Sequence, residues 1–136
     1  MRVLVVGAGG VGSSIATIAA RRPVFDQIVV ADIDAARAAA TAGHTRSERV
    51  RSTQVDASST ADLVELITAT RADVVVNACD PRFNPPIFDA AFEAGCHYLD
   101  MAMHMSVPHP TDPYHTPGTM LGDAQFAVSD TWEQRG

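Results

Sequence analysis

The chain alternates short continuous apolar runs with longer segments in which apolar residues recur every three or four positions. Most of the continuous runs are rich in valine and isoleucine without polar alternation, which predicts strands buried on both faces of a parallel sheet. We predict five strands, at residues 3–6, 27–31, 52–55, 73–77 and 96–99. The spacing between them predicts helices at residues 11–20, 35–42, 60–70 and 85–94.

Residues that commonly begin and end helices stand at the boundaries of these segments. Asp34 and Ser59 precede two helical segments as N-cap residues, and Asn84 precedes a third with a proline directly after it. Gly43 and Gly95 follow two helices, where a glycine commonly ends the helix. The regular alternation of strand and helix predicts an α/β fold, a doubly wound parallel sheet with helices on both faces.

The character of the chain changes after Asp100. Residues 101–118 contain four prolines and three histidines, too irregular for a packed element, and a last helix is predicted over residues 122–134. We therefore assign residues 1–104 to one doubly wound domain, and residues 105–136 to an irregular loop and terminal helix that lead toward a second domain. No segment is left for the sixth strand of such sheets, so the sheet is expected to be incomplete at the C-terminus.

Composition narrows the classes of partner. A hydrophobic fraction of 46% predicts a globular chain, and a net charge of −6 argues against nucleic acid or an anionic membrane as the main partner. No apolar run approaches the ~18 residues that a membrane span needs. Cys79 and Cys96 are separated by roughly four strand residues at ~3.3 Å each, so no disulfide is expected and a cytoplasmic protein is favoured. All ten basic residues are arginines, so this chain supplies no lysine for catalysis or phosphate binding.

The turn after the first strand has the spacing of a dinucleotide-binding turn. Gly7, Gly9 and Gly12 fit G-x-G-x-x-G between a strand and a helix, with Gly10 and Val11 inside the same turn. Such glycines allow a tight turn, the approach of a pyrophosphate and close helix packing, and the helix N-terminus offers N–H groups to phosphate. The motif gains weight from an aspartate at the end of the second strand, where a carboxylate can accept both hydroxyls of an adenosine ribose.

Other proteins use similar glycines. An adenylating protein of the ubiquitin-activating type begins with a similar strand and turn, but it needs a lysine and a polar loop after the second strand, where this chain enters a helix directly. A phosphate-binding loop needs Gly-Lys-Ser/Thr, which is missing. The remaining alternative is a purely structural turn.

The aspartate that follows the second strand, Asp32, favours NAD over NADP. A 2′-phosphate would be repelled by its carboxylate, and the next residue is Ile33 rather than a neutralising arginine. Arg37 lies one turn into the following helix and could reach the same position. We therefore predict NAD as the cofactor, bound by Asp32 and Ile33.

Ligands of doubly wound sheets bind outside the carboxyl ends of the strands, which directs attention to further positions. Asp56 follows the third strand and could accept a hydrogen bond from an adenine amino group or act as a turn residue. Asn77, Ala78 and Cys79 leave the fourth strand where the nicotinamide end of a dinucleotide would pass, although Cys79 is more readily explained as a buried thiol. Asp100 ends the fifth strand as a candidate for proton transfer or for binding a substrate ammonium, or as a turn residue.

The histidines do not predict a metal centre. His104, His109 and His115 have prolines between them and match no common zinc spacing, so we expect them to be loop or surface residues. His97 and Tyr98 fall inside a short strand and are expected to be packed rather than catalytic.

Several stretches of the chain together resemble one known family. These are "VLVVGAGGVG", "IVVADID", the Val55-Asp56 pair, "DVVVNACDP", "PPIFDAAFEAGCHYLDMA" and "LGDAQF", which span nearly all 136 residues. On them the chain is similar to the N-terminal domain of the saccharopine dehydrogenase-like oxidoreductases. The resemblance implies a Rossmann-like NAD(P)-binding domain, followed in the full-length protein by a substrate and dimerisation domain.

The same resemblance implies roles for individual residues. Gly7, Gly9, Gly10 and Gly12 would hold the pyrophosphate and Asp32 the ribose, while Asp56 would lie near adenine, Asn77, Ala78 and Cys79 beside the nicotinamide, and Asp100 at the catalytic cleft. It also implies an oxidoreductase that interconverts an amine and an imine of an amino acid or polyamine, with a homodimer as the full-length form. The alternative is a stand-alone NAD-binding domain without catalysis.

Overall fold

The computed structural model describes residues 1–101, 107–120 and 122–135, and the chain forms two compact units, residues 1–101 and 102–136. The strands of the first unit are β1 (Arg2–Val6), β2 (Gln27–Asp32), β3 (Val50–Gln54), β4 (Val74–Asn77) and β5 (His97–Asp100). Its helices are α1 (Gly10–Ala19), α2 (Ala35–Thr45), α3 (Thr60–Thr70) and α4 (Asn84–Ala94), with a 3₁₀ turn (Pro81–Phe83) before α4.

All five strands are parallel, in the order β3-β2-β1-β4-β5. From β1 the chain winds outward to β3, then returns to the other side of β1 for β4 and β5. Because crossovers between parallel strands are right-handed, the two directions of winding place helices on opposite faces. Accordingly α1 packs beside α2, and α3 beside α4. The prediction of a doubly wound α/β fold is confirmed.

Both faces of the central strand are buried, which explains its unbroken apolar sequence. Val3 and Val5 belong to one core cluster with Ala16 of α1 and Ala38 of α2. Leu4, between the two valines, is also fully buried. Since successive side chains of a strand point to opposite faces, alternation between apolar and polar residues would place a row of polar side chains against the helices on one face.

Two of the predicted caps are confirmed, and one predicted helix end is wrong. The Asp34 carboxylate accepts hydrogen bonds from the backbone of α2, and the Ser59 hydroxyl does the same for Asp62 of α3. The helix α2 runs through Gly43 to Thr45, and its C-cap is Arg46, which adopts the left-handed conformation with φ of 52°. Nothing approaches the position of a Cβ on Gly43, so this glycine is an ordinary helical residue that leaves the helix intact.

The start of α4 also differs from the prediction. Asn84 is the first residue of the helix rather than its N-cap, which is Phe83. The side chain of Asn84 is buried and accepts a hydrogen bond from the Asn77 amide. Asp80 caps the preceding 3₁₀ turn by accepting from the Arg82 N–H. The prediction that Gly95 ends this helix is confirmed, with φ of 67°.

The second unit contains more structure than its irregular sequence predicts. Val107 and Thr119 form an antiparallel bridge, with hydrogen bonds of 3.0 and 2.9 Å between their backbones. A Cβ on Gly118 would lie 1.8 Å from the carbonyl oxygen of Val107, so this bridge requires glycine. The single helix predicted over residues 122–134 is wrong: α5 (Asp123–Phe126) and α6 (Ser129–Glu133) are separate short helices.

In residues 1–101, 107–120 and 122–135, no helix has the length and apolar character that a membrane crossing requires.

We expect the variant Arg49→Ala to unfold more easily than the wild-type chain. The guanidinium of Arg49 donates to the carbonyl oxygens of Ala20 (2.6 Å), Arg22 (3.0 Å) and Phe25, which follow the end of α1. Removing these donors should lower the free energy of unfolding by about 1–3 kcal/mol, measured by urea denaturation. Arg51→Ala, on the exposed face of β3, is the control and should change stability little. Equal stability of the two variants would contradict this role of Arg49.

Candidate functional site

The centre of the site is the point where the two directions of winding diverge. β1 and β4 are neighbours there, and the chain leaves them toward opposite faces of the sheet. Ligands of doubly wound sheets bind in the crevice that this divergence opens. The turn after β1 begins at Gly7, and the turn after β4 begins at Ala78, so these two turns form the walls of the crevice.

Two of the glycines are required by contacts within the protein. A Cβ on Gly7 would lie 2.9 Å from the carbonyl oxygen of Ala78 and 3.0 Å from Sγ of Cys79, and its φ of 101° also favours glycine. A Cβ on Gly12 would lie 1.8 Å from the carbonyl oxygen of Gly7. These two glycines therefore allow helix α1 and the turn after β4 to pack directly on the turn after β1.

The other two glycines face open space. Nothing lies within 4 Å of a Cβ built on Gly9 or Gly10. Internal packing therefore does not explain why a side chain is absent at these positions. Both lie at the N-terminus of α1, where unpaired N–H groups favour an anion. The open backbone fits the phosphates of a nucleotide.

A groove of about 400 Å³ runs from this turn across the carboxyl ends of β2 and β3. Seven of the predicted cofactor-binding residues line it: Gly7, Gly9, Asp32, Ile33, Asp56, Ala78 and Cys79. The lining also includes Asp80, one of the positions directed to the site by the end of the fourth strand, and residues for which the sequence predicted no role: Val6, Val55, Ala57, Arg82 and Phe83. Gly10, Val11, Gly12, Asn77 and Asp100 are not among the lining residues.

Asp32 is held in place by the backbone around it. Its side chain is 7% exposed, Oδ2 accepts from the Ala8 N–H at 2.7 Å and Oδ1 accepts from the Asp34 N–H at 2.9 Å. The bond to Ala8 ties the end of β2 to the glycine turn. Each carboxylate oxygen has further acceptor capacity, so hydroxyl groups of a ligand can still be bound here.

Arg37 reaches Asp32 from the first turn of α2, as the sequence spacing allowed. Its Nη1 lies 3.4 Å from Oδ1 of Asp32, and its Nη2 lies 3.4 Å from Oδ2 of Asp34. The arginine side chain is 53% exposed and lines the groove. Ile33, next to these charges, is 62% exposed, which is unusual for a large aliphatic residue at the end of a buried strand. It offers an apolar wall for a flat ligand group.

The opposite wall carries a second arginine. The Arg82 guanidinium lies 4.8 Å from the centroid of the Phe83 ring, and its Nε lies 3.8 Å from Oδ1 of Asp80. No sequence motif marks Arg82 and Phe83, which lie in the 3₁₀ turn before α4 and were not predicted to line the site. The available signal was their position just beyond the carboxyl end of β4.

Asp56 is a turn residue that also faces the groove. Its Oδ1 accepts from the backbone N–H of Ser58 at 2.9 Å and from the Ser58 hydroxyl at 2.7 Å. These bonds hold the pKa of the carboxyl below its usual value. The interpretation of Asp56 as a turn residue is therefore confirmed, and its hydrogen bond to an adenine amino group stays a prediction.

Cys79 packs its thiol against the glycine turn. The Sγ atom lies 3.3 Å from the carbonyl oxygen of Val6, and burial, with smaller contributions from Asp32 and Asp80, raises the pKa of the thiol to about 11. The thiol is therefore protonated at neutral pH, which does not favour a nucleophile. Both Cys79 and Cys96 are free, as predicted.

Asn77 lies beneath the groove rather than in it. It is 1% exposed, and its Oδ1 accepts from the Cys79 N–H at 2.9 Å. Its Nδ2 donates to Oδ1 of Asn84 at 2.8 Å and to the Tyr98 hydroxyl at 3.1 Å. The side chain therefore fixes the turn after β4 from behind.

Asp100 ends β5, paired in register with Asn77 of β4. It is half-buried. Tyr98 is also half-buried and packs edge-to-face on Phe88, with ring centroids 5.2 Å apart, as the prediction of packing implied. His97 is exposed, so the same prediction is wrong for His97, which lies on the edge strand of the sheet.

His109 and His115 of the second unit engage in local hydrogen bonds. Asp112 Oδ1 lies 2.9 Å from Nδ1 of His115, and Nδ1 of His109 accepts from the backbone N–H of Asp112 at 3.2 Å. Among the residues that the structure describes, no group of three or more His, Cys, Asp or Glu side chains could hold a metal ion. His104 lies outside the described residues.

These features define a Rossmann-like nucleotide-binding domain, in which a glycine turn and an acidic residue at the end of β2 face one groove. The chain belongs to a specific family of such domains. Its residues 3–136 match the family model of the saccharopine dehydrogenase NADP binding domain. The resemblance seen in the sequence is thereby confirmed.

Two curated relatives are similar to the chain. Carboxyaminopropylagmatine dehydrogenase of Synechocystis is 37% identical over 101 residues, covering 74% of this chain and 25% of the relative. Carboxynorspermidine synthase of Vibrio cholerae is 31% identical over 145 residues, covering 100% of this chain and 34% of the relative. The chain thus spans between a quarter and about a third of the length of these relatives.

Solved structures share the fold. Saccharopine dehydrogenase (L-Glu forming) of Saccharomyces cerevisiae has a TM-score of 0.64 at 21% identity, covering 80% of this chain and 22% of that one. UDP-glucose-4-epimerase of Stenotrophomonas maltophila, solved with NAD, has a TM-score of 0.62 at 18% identity, covering 98% of this chain and 48% of that one. At these identities the likeness concerns the fold alone.

Alanine substitutions at Gly9 and Gly12 should have different effects. The methyl group of Gly12→Ala would clash with the Gly7 carbonyl, and we expect a loss of roughly 3 kcal/mol or more of unfolding free energy. Gly9→Ala meets no protein atom, so the fold should persist while NADH binding, measured by fluorescence, weakens by about tenfold or more. Gly43→Ala, also in open space, is the control that should leave binding unchanged. Wild-type binding by Gly9→Ala would contradict the phosphate-binding role.

The alkylation rates of the two cysteines should show whether a bound nucleotide covers the groove. Both thiols have a pKa raised to about 11, so labelling by iodoacetamide should be slow at neutral pH and rise about tenfold per pH unit up to that value. Cys79 lines the groove and Cys96 does not. Saturating NADH should therefore slow the labelling of Cys79 and leave Cys96 as the internal control, measured by peptide mass spectrometry. Equal protection of both thiols would contradict binding in this groove.

Proposed function

We propose that the groove binds a nicotinamide dinucleotide through Gly7, Gly9 and Asp32, and that the chain prefers NAD to NADP. The observation that carries the proposal is the Asp32 carboxylate, buried to 7% exposure and tied to the glycine turn through the Ala8 N–H. A carboxylate fixed in this position accepts the hydroxyls of a ribose and repels a 2′-phosphate. The family name points to NADP, so the preference for NAD rests on this residue.

Arg37 bears on the same choice of cofactor. Its guanidinium is shared between two aspartates at 3.4 Å each, so its charge is already partly compensated. A 2′-phosphate would have to displace these contacts while approaching both carboxylates. One positive charge, on Arg37, therefore faces two negative charges, on Asp32 and Asp34. This distribution of charge favours a ligand group without charge.

The remaining lining residues suit the rest of a dinucleotide. Ile33 offers an exposed apolar surface for a flat base, and Asp56 has acceptor oxygens at the end of the groove for an exocyclic amino group. Gly10, Val11 and Gly12 would support the pyrophosphate through the backbone of α1. Ala78 and Cys79 leave room beside β4 because both side chains are small.

For the full-length protein we propose an oxidoreductase that interconverts an amine and an imine of an amino acid or polyamine. The family and the dehydrogenase name of the relative from Synechocystis support an oxidoreductase. Bound NAD(H) would supply the hydride chemistry. Asp100, at the end of β5, would hold a substrate ammonium or take its proton. Its negative charge would also stabilise the iminium cation that forms when the carbon bearing the amine loses a hydride.

The proposal extends to the partners of the full-length protein. Its substrate is a small amine or amino acid, its expected assembly is a homodimer and its expected compartment is the cytoplasm. The net charge of −6 favours neither nucleic acid nor an anionic membrane as a partner.

The cofactor preference has a direct test. NADH should bind about tenfold or more tightly than NADPH, measured by calorimetry. In Asp32→Asn, which removes the charge and also gives up one of the two hydrogen bonds from the Ala8 and Asp34 N–H groups, the ratio of the two affinities should shift toward NADPH by roughly tenfold. Glu48→Gln removes an exposed charge elsewhere and serves as the control. Tighter binding of NADPH than of NADH by the wild type would contradict the proposal.

The activity is tested with the full-length protein. We expect amine-dependent reduction of NAD, followed at 340 nm, with a panel of amino acids and carboxyalkyl polyamines. Asp100→Asn should lower kcat by about a hundredfold, the usual contribution of a proton-transferring or charge-stabilising group. Unchanged turnover in this variant would leave Asp100 as a turn residue.

A further inference from the structure

A chain of hydrogen-bonding side chains crosses the sheet edge from α4 to β5. It consists of Asn84 at the start of α4, Asn77 at the end of β4, and Tyr98 and Asp100 of β5. Tyr98 was predicted to be a packed residue only, and Asn84 a helix cap. The proposed function makes use of Asp100 but gives no role to the side chains behind it.

The orientation of the Asn77 amide is fixed by one bond. The backbone N–H of Cys79 can only donate, so the atom of Asn77 that faces it at 2.9 Å is the carbonyl oxygen. The amide nitrogen therefore points the other way. It donates one hydrogen to Oδ1 of Asn84 at 2.8 Å and the other to the Tyr98 hydroxyl at 3.1 Å.

This orientation determines the direction of the next hydrogen bond. The Tyr98 oxygen accepts from Asn77, so its own proton is available for a different acceptor. Asp100 lies two residues further along β5, on the same face as Tyr98 and in register with Asn77, so its carboxylate is the neighbouring acceptor for this proton. Burial, followed by the negative charge of Asp100 and its hydrogen bond, raises the pKa of Tyr98. The tyrosine hydroxyl thus remains protonated and can act toward Asp100 only as a donor.

We propose that Tyr98 is a positioning residue: its hydroxyl, oriented by Asn77, holds the Asp100 carboxylate in one conformation toward the substrate. This proposal rests on the proposed role of Asp100. The ring of Tyr98 cannot turn freely, because it packs edge-to-face on Phe88 at 5.2 Å. The same Asn77 side chain holds the turn that carries Cys79, so the nucleotide groove and Asp100 share one support.

The test is Tyr98→Phe in the full-length protein, which removes the hydroxyl and keeps the ring that packs on Phe88. We expect kcat to fall by about ten- to a hundredfold, the effect of losing a hydrogen bond to a charged group. The affinity for NADH should stay within about twofold, since Tyr98 does not line the groove. Tyr114 is 91% exposed, so Tyr114→Phe is the matched control and should behave as wild type.

A double-mutant cycle separates positioning from a general structural effect. If Tyr98 acts through Asp100, Tyr98→Phe should reduce kcat in the wild-type background and have no further effect in Asp100→Asn. Multiplicative losses in the double variant would overturn the proposal, and so would wild-type kcat in Tyr98→Phe.

A spectroscopic measurement keeps this proposal distinct from the proposed function. In full-length protein labelled with 13C at the aspartate carboxyl carbon, the Asp100 resonance is assigned by its absence in Asp100→Asn. We expect this resonance to shift in Tyr98→Phe and not in Tyr114→Phe. An unshifted resonance would overturn the positioning role even in an active enzyme. A shifted resonance in a protein without amine oxidation would support the positioning role while the proposed activity failed.

Discussion

The structure depends on the close approach of three backbone segments at the carboxyl ends of β1 and β4. The turn at Gly7 touches the carbonyl of Ala78 on one side and helix α1 at Gly12 on the other. A single methyl group at either glycine would separate these segments. Because the segments belong to oppositely wound halves of the sheet, this contact also sets the width of the crevice between them.

The glycines around this contact have two distinct physical roles. Gly7 and Gly12 are required by the protein itself, since their missing side chains are replaced by protein atoms. Gly9 and Gly10 face open space, so internal packing does not demand glycine there. A motif whose glycines were all structural would be crowded at every position. The open pair therefore leaves room for a ligand against the backbone at the start of α1.

Polar side chains connect the crevice to its surroundings. Asp32 ties β2 to the glycine turn through the Ala8 N–H, and Asn77 ties the turn after β4 to α4 and β5. Within the described residues, every buried side-chain nitrogen or oxygen has a hydrogen-bond partner. Satisfied buried networks of this kind hold a unique geometry, because any rearrangement leaves an unpaired group in an apolar environment.

The sequence by itself determined the order of elements, the parallel sheet and the residues of the glycine turn, because burial on both faces and glycine spacing are local patterns. It identified Asp32 and Gly95 for the same reason. Only the tertiary structure decided what Asn84, Tyr98 and Arg82 do. Their partners lie on other strands and turns, so no spacing along the chain distinguishes a helix cap or a packed ring from a member of a hydrogen-bonded network.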